Sequence, residues 1–355
     1  MSQARDLADL GGSASAGGIT GRNVIINGNM AVAQRGVTFT SPSAGAYTLD
    51  RFKYNENFGA ACTITQSTDV PSSDGFLNSM KIDITTAATP ASAEEFKIDY
   101  GVEGQDFSRA GFGTSGAQAL TLSFWVKSNV TGVYRVNFFN LNGTGNKIVG
   151  GTYTINTAST WEKKTIAIPA DTAQATYLTN AEGFRIEFYL ASGPDRTSGS
   201  LPTDWIAYDA TRRAAGHAVN LASSTSNEWY ITGVQLEVGD VATPFEHESY
   251  GETLRKCQRY YNRLGEMQHQ FFCSNVASSN PDLRDAVTFP PMREAPDANP
   301  YSDANYSVSG STNTSNTTLN LTSISISSLS AQAQRSGTGS ATVRATYRLE
   351  LVAEL

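Results

Sequence analysis

Between Asn23 and Phe245 one short strand-like run follows another with no helical periodicity between them, and this restricts the region to an all-β architecture. The runs are rich in β-branched and aromatic residues and are punctuated by Gly, Asn, Pro and Ser. They are Asn23–Met30, Leu49–Tyr54, Cys62–Gln66, Ser79–Ile84, Phe96–Val102, Ala119–Lys127, Tyr134–Phe139, Lys147–Ile155, Lys163–Ile168, Gly183–Leu190 and Glu228–Glu237. Within LTLSFWV, Leu120, Leu122, Phe124 and Val126 share one face at the two-residue period of a pleated strand. In Phe184–Phe188 the same alternation turns the apolar residues inward and Arg185 and Glu187 outward. The fold class expected is mostly β: an antiparallel β-sandwich of jelly-roll type over 23–245.

The flanks differ. Residues 1–22 form a Gly/Ser/Ala-rich leader with nothing to bury. Over 246–265, Tyr250, Leu254, Cys257, Tyr261 and Leu264 fall at helical spacing, and Gly265 is placed to cap a connecting helix. Residues 266–355 read as a small C-terminal β domain ending in a strand over Thr342–Val352, with the Pro290–Pro291 pair restricted to an edge or loop. So thin an apolar content favours oligomerisation.

Charge and cysteine usage exclude several function classes. The net charge is −7, the wrong sign for general phosphate binding, so nucleic acid is not an expected partner. No apolar run approaches the roughly 18 residues of a membrane span, so no membrane insertion is expected. The polar start lacks the pattern of a secretory signal, which points to synthesis in a cytoplasm. Cys62, Cys257 and Cys273 are odd in number and far apart, which gives neither a disulfide framework nor a metal motif. With no such signal, the Asn-x-Ser/Thr sequons, Asn129, Asn142 and Asn320 among them, read as compositional.

Catalytic patterns are missing. There is no GxSxG, no HExxH, and His217, His247 and His269 are scattered. The acids Glu94, Glu95, Asp195, Asp204, Asp209 and Glu237 would need to face one another about 5–9 Å apart to hydrolyse a glycosidic bond, so solvated surface acids are the simpler reading. The chain is therefore expected not to be an enzyme. No cofactor is required, although Asp50, Glu237 and Asp240, at the two ends of the sandwich, are candidate ligands for a structural calcium. The long segment Ala191–Ser226 holds Asp204, Trp205, Tyr208 and Arg212, the candidate glycan-binding residues: an aromatic face with polar groups beside it suits a sugar ring. The alternative is that Trp205 plugs the edge of the core.

Three strings point to a family. NVIINGNMAVAQRG (Asn23–Gly36) followed by YTLDRF (Tyr47–Phe52), LTLSFWVKS (Leu120–Ser128) with Trp161 opening WEKKTIAIP, and WYITGVQLEVGDVATPFEHESYGETLRKCQRYY (Trp229–Tyr261) resemble a domain of tailed-bacteriophage tail-fibre and related virion proteins. The closing TYRLELVAEL resembles that family's last strand. The resemblance implies a galactose-binding-like, carbohydrate-binding-module-like jelly roll closed by the ITGVQLE strand. It further implies a tail fibre contributing to host-surface glycan recognition and adsorption, a homotrimer, a leader that docks onto other virion tail proteins, and a virion location after assembly in a bacterial cytoplasm. The alternatives are a purely structural head-fibre, decoration or connector protein, and a tailspike-like glycan depolymerase.

Overall fold

The computed structural model describes residues 21–143, 145–276, 282–300, 305–309, 318–322, 324–325, 327–334 and 339–355. Up to residue 20 the expected leader lies outside the described residues. By contacts the chain divides into a first unit up to Thr253, joined by Leu355, and a second unit, Leu254–Glu354.

The first unit is the sandwich. Its strands are β1 (Thr38–Thr40), β2 (Phe52–Glu56), β3 (Ala61–Ser67), β4 (Ser79–Thr86), β5 (Glu95–Glu103), β6 (Leu120–Ser128), β7 (Gly132–Asn140), β8 (Lys147–Ile155), β9 (Glu162–Ile168), β10 (Glu182–Ser192), β11 (Ile206–Ala207) and β12 (Glu228–Val238). They make two six-stranded sheets, ordered β1-β3-β4-β12-β6-β9 and β11-β8-β7-β10-β5-β2, with antiparallel pairings throughout. The inward alternates of both sheets meet in one core. There Phe124 of β6 stands 5.1 Å from Tyr153 of β8 and 5.4 Å from Phe188 of β10, each edge-on, the arrangement that ring quadrupoles favour.

Asn23–Met30, expected as a strand, is not one. Asn27 and Met30 adopt left-handed backbone (φ 62° and 57°), and the Asn27 side chain bonds both the N–H and the C=O of Val32. The segment instead lies against β12: Val24 N–H donates to Leu236 O, and Val234 N–H donates to Gly28 O. A side chain at Gly28 would place its Cβ 2.0 Å from Val234 O, which explains the glycine inside NGN.

The strand β12 carries a bulge. Its register slips between Thr232 and Gln235, with Gly233 left-handed at φ 62°. Trp229 and Ile231 point into the core before the bulge, and Val234 and Leu236 after it. Gln235 and Glu237 thereby turn away from the core and become anchors for the following segment. Thr243 N–H donates to Glu237 Oε1 (2.9 Å), and Glu246 N–H donates to Gln235 Oε1 (2.8 Å).

The connecting helix is shorter than its periodicity predicts, Tyr250–Gln258 rather than 246–265. Ser249 caps its start by accepting from Glu252 N–H. Gly265 does not cap it, because Tyr261 already begins a strand that pairs with the chain's last strand, and that pairing overrides the helical spacing. The second unit contains β13 (Tyr261–Val276), β14 (Asp282–Thr288), β15 (Asp297–Pro300), β16 (Asn305–Ser309), β17 (Thr318–Thr322), β18 (Ser328–Gln334) and β19 (Gly339–Val352). There β19 pairs with β13, β15 and β16, while β18 lies between β14 and β17. Pro290–Pro291 falls just past β14, where no ladder donor is lost.

Candidate functional site

The alternation that fills the core also loads the outer face of the second sheet with charge. Phe52, Tyr54, Phe96, Ile98, Tyr100, Phe184 and Ile186 point inward. Their alternates Lys53, Asn55, Lys97, Asp99, Arg185 and Glu187 point outward from β2, β5 and β10. Register then aligns them: Lys53 of β2, Asp99 of β5, Glu187 of β10 and Asn137 of β7 form one row across four strands.

The segment Ala191–Ser226 divides this row in two. It folds back over the sheet rather than standing off it, with a short helix at Pro194–Thr197 and the two-residue strand β11 added to β8. Under it Glu187 is fully buried. The carboxylate accepts from Lys97, from Arg213 (2.7 Å), from Asn137 (3.2 Å) and from the Tyr189 hydroxyl (3.0 Å). Burial would raise its pKa, yet the Lys97 and Arg213 charges outweigh that and hold it well below the usual range. His217 of the same segment accepts from Arg135 N–H, and burial pushes its pKa down to about 4, so the ring is neutral.

The other half of the row is open. Lys53, Asn55, Asp99 and Arg185 line a cleft of about 290 Å³ together with Tyr47, Glu95 and Glu182. Gly101 keeps the floor low, since a Cβ there would lie 2.7 Å from Glu182 Oε1. Glu182 is held in place by the Arg185 guanidinium, which donates to both of its oxygens. Asn55 donates to Asp99 Oδ2 (2.5 Å). The ammonium of Lys53 lies 5.4 Å from the Tyr47 ring centroid. Hydrogen-bonding groups held this firmly suit a ligand rich in hydroxyls.

The outer face of the first sheet is also aromatic, but its groups serve the fold. Trp125 and Trp161 donate their indole N–H to Asp74 (2.9 Å) and Asp69 (3.0 Å), which ties the 67–78 loop down. Lys127 covers the Tyr230 ring at 4.1 Å.

The four residues singled out for glycan are not brought together. Trp205 packs into the core beside Phe112 and Phe184, and its indole N–H donates to Pro169 O (2.8 Å). Tyr208 is exposed on the other side of the sheet, stacked on Phe139. Asp204 accepts from the Trp205 N–H, and Arg212 pairs with Asp209. Consecutive strand positions face opposite ways, so a run of polar and aromatic residues in a loop need not form one platform. Trp205→Phe is expected to cost about 1–2 kcal/mol in thermal denaturation, from the lost indole bond and volume, with glycan binding unchanged. Weaker binding at an unchanged Tm would return Trp205 to the ligand.

The calcium candidates are likewise separate. Among the described residues no group of three His, Cys, Asp or Glu side chains is placed to hold a metal ion. Asp50 is buried and accepts from the backbone and side chain of Gln34, Glu237 is occupied by Gln235 and Thr243, and Asp240 is exposed. Of the acids considered for hydrolysis, Glu95 alone lines the cleft. The thiols of Cys62 and Cys257 are buried, and burial pushes Cys62 up to about 12. The residues that build the cleft, Lys53, Asn55, Asp99, Glu182 and Arg185, were legible only as outward alternates of strands. Nothing in one sequence says which alternates stay open and which are roofed.

Comparison with known proteins follows the fold. No family model matches the chain, and no curated protein matches it. Among solved structures, the enzymatically active domain of bacteriophage CBA120 tailspike protein 4 is similar at 14% identity and a TM-score of 0.30, covering 56% of this chain and 21% of that one. The chain thus spans about a fifth of that domain. A family 11 carbohydrate-binding module from Clostridium thermocellum is similar at 12% identity and a TM-score of 0.29, covering 59% of this chain and 99% of the module. A sugar-binding protein from Bacteroides thetaiotaomicron, so described provisionally, is similar at 13% identity and a TM-score of 0.34, covering 61% and 99%. Likeness at this level does not carry a ligand or a role from those proteins to this chain.

Proposed function

We propose that the chain is a non-enzymatic virion protein of a tailed bacteriophage, a tail fibre that helps recognise host-surface glycan through the cleft beside β2, β5 and β10. The observation that carries the glycan part is the cleft itself: a recess of about 290 Å³ on a rigid sheet, lined by fixed carboxylate, amide and ammonium groups. The family-like strings NVIINGNMAVAQRG, LTLSFWVKS and WYITGVQLE support the virion part. A homotrimer would repeat a weak site three times and gain avidity wherever the copies engage one surface together.

Oligosaccharide arrays and calorimetry on the full chain test the reading. Binding of a host-surface glycan is expected, and Lys53→Ala with Asn55→Ala is expected to weaken it at least tenfold. The solution mass is expected at about three times the 37.9 kDa chain. Incubation with the bound polysaccharide is expected to release no new reducing ends, and their appearance would replace adhesion with depolymerisation. A second, purely structural reading draws on the segment Ala191–Ser226, whose Trp205 fills the core and whose Arg213 ties down the buried Glu187. Absence of binding to any host surface would favour it.

A further inference from the structure

One oxygen in the cleft is left without a donor. Asp99 is 7% exposed and lines the cavity, yet its Oδ1 has no hydrogen-bond partner, while Oδ2 is bonded by Asn55. The nearest cation, Lys97 Nζ, stands 3.5 Å from Oδ1, well beyond the 2.7–2.9 Å of a charge-assisted bond, and it is committed to Glu187. A buried carboxylate oxygen in this state is costly and awaits a donor.

The surroundings restrict that donor. Three cations (Lys53, Lys97, Arg185) and four carboxylates (Glu56, Glu95, Asp99, Glu182) interleave around the cavity. A cationic ligand would meet the first set and an anionic ligand the second. The volume of about 290 Å³ lies at the low end of small-molecule sites, roughly 300–1,000 Å³, which suits one or two sugar rings. We infer that the cleft takes a short stretch of uncharged hexose, and that one hydroxyl of that sugar donates to Asp99 Oδ1. This rests on the glycan reading above and names its ligand class and anchor.

A pH dependence follows. Burial, first, and the Glu187 charge raise the Asp99 pKa to about 6 against the opposing pull of Lys97, Arg185 and Asn55. Lys53 faces Asp99 from the neighbouring strand, and Arg213 from the roof reaches Glu187 and Glu95. A hydroxyl donor prefers the ionised carboxylate. At pH 5 the protonated form is the major one, so apparent affinity should be lower there than at pH 7.5.

The test is calorimetry on the full chain with neutral gluco-, galacto- and manno-oligosaccharides, oligogalacturonate and chitosan oligomers as probes, at pH 5 and 7.5. The expected result is binding of a neutral probe, weaker at pH 5 than at pH 7.5, and weakened at least tenfold with a flat pH profile in Asp99→Asn. A raised folded-state pKa means that ionised Asp99 opposes folding, so its stabilising effect is present below about pH 4 and is lost as pH rises through 6. Asp99→Asn should therefore match or exceed the native Tm at pH 7.5, which separates lost binding from lost fold. Preferential binding of oligogalacturonate or chitosan, or unchanged binding in Asp99→Asn, overturns the assignment and leaves the glycan reading standing. Binding of none of the probes, with binding to other host glycans, does the same. Binding of no glycan at all overturns both.

Discussion

Glu187→Gln should lower the stability of the sandwich by about 3–5 kcal/mol, because it strips the counter-charge from two buried cations at once. Lys97 and Arg213 both bond Glu187 Oε1, and Glu187 itself is fully buried. Removing it leaves two cations shielded from water with only the looser contacts to Glu95 and Asp99 as counter-charge. For a domain of this size the loss corresponds to a fall in Tm of roughly 6–20 °C. The remaining acids, Glu95 and Asp99, already contact Lys97 at 3.2 and 3.5 Å and supply no new charge. Replacing all three, Lys97→Met with Glu187→Leu and Arg213→Met, should recover much of the loss, since a desolvated ion network often contributes little over apolar groups of its shape. A Tm shift under 2 °C for Glu187→Gln would show that the roof over this row is open to water.

The same residue fixes an acid limit. The folded-state pKa of Glu187 is depressed, so its contribution is present above its unfolded value, about 4.3, and is lost as pH falls further. Asp99, raised to about 6, works in the opposite sense over pH 4–6. Acid unfolding of the native chain should thus steepen below about pH 4, and Glu187→Gln should flatten that limb.

Trp229→Ala is the second large effect, expected at about 3–5 kcal/mol. The indole is fully buried at the start of β12 and donates to the Tyr153 hydroxyl at 3.3 Å. Tyr153 is stacked on Tyr134 at 5.3 Å and meets Phe124 edge-on, so truncation opens a cavity in the middle of an aromatic cluster and leaves a buried hydroxyl without its donor. Trp229→Phe should recover most of the packing and lose the bond, at about 1–2 kcal/mol. Equal losses for the two variants in denaturant unfolding would contradict this division between volume and hydrogen bond.

Most strands were legible because their side chains obey a period of two and their ends carry turn residues. Lys147–Ile155 is the same in the sequence reading and in the structure, and Thr342–Val352 falls within β19. The failures share a cause. Asn23–Met30 has strand-like residues, but its backbone turns left-handed at Asn27 and Met30 to seat Gly28 on β12. The helix stops at Gln258 because β19 captures Tyr261. Each is a distant segment overruling a local preference.

The cleft shows the same division. The sequence by itself determined that Lys53, Asp99, Arg185 and Glu187 leave the core, because their neighbours Phe52, Ile98, Phe184 and Ile186 must enter it. Tertiary structure alone decided that Lys53, Asp99 and Glu187 share one row, that Arg213 roofs one end, and that Asp99 is left at the open end with an unbonded oxygen. Side-chain alternation is a local rule of the pleat, whereas strand order, register and the fold-back of Ala191–Ser226 are set by pairings between segments far apart in the chain.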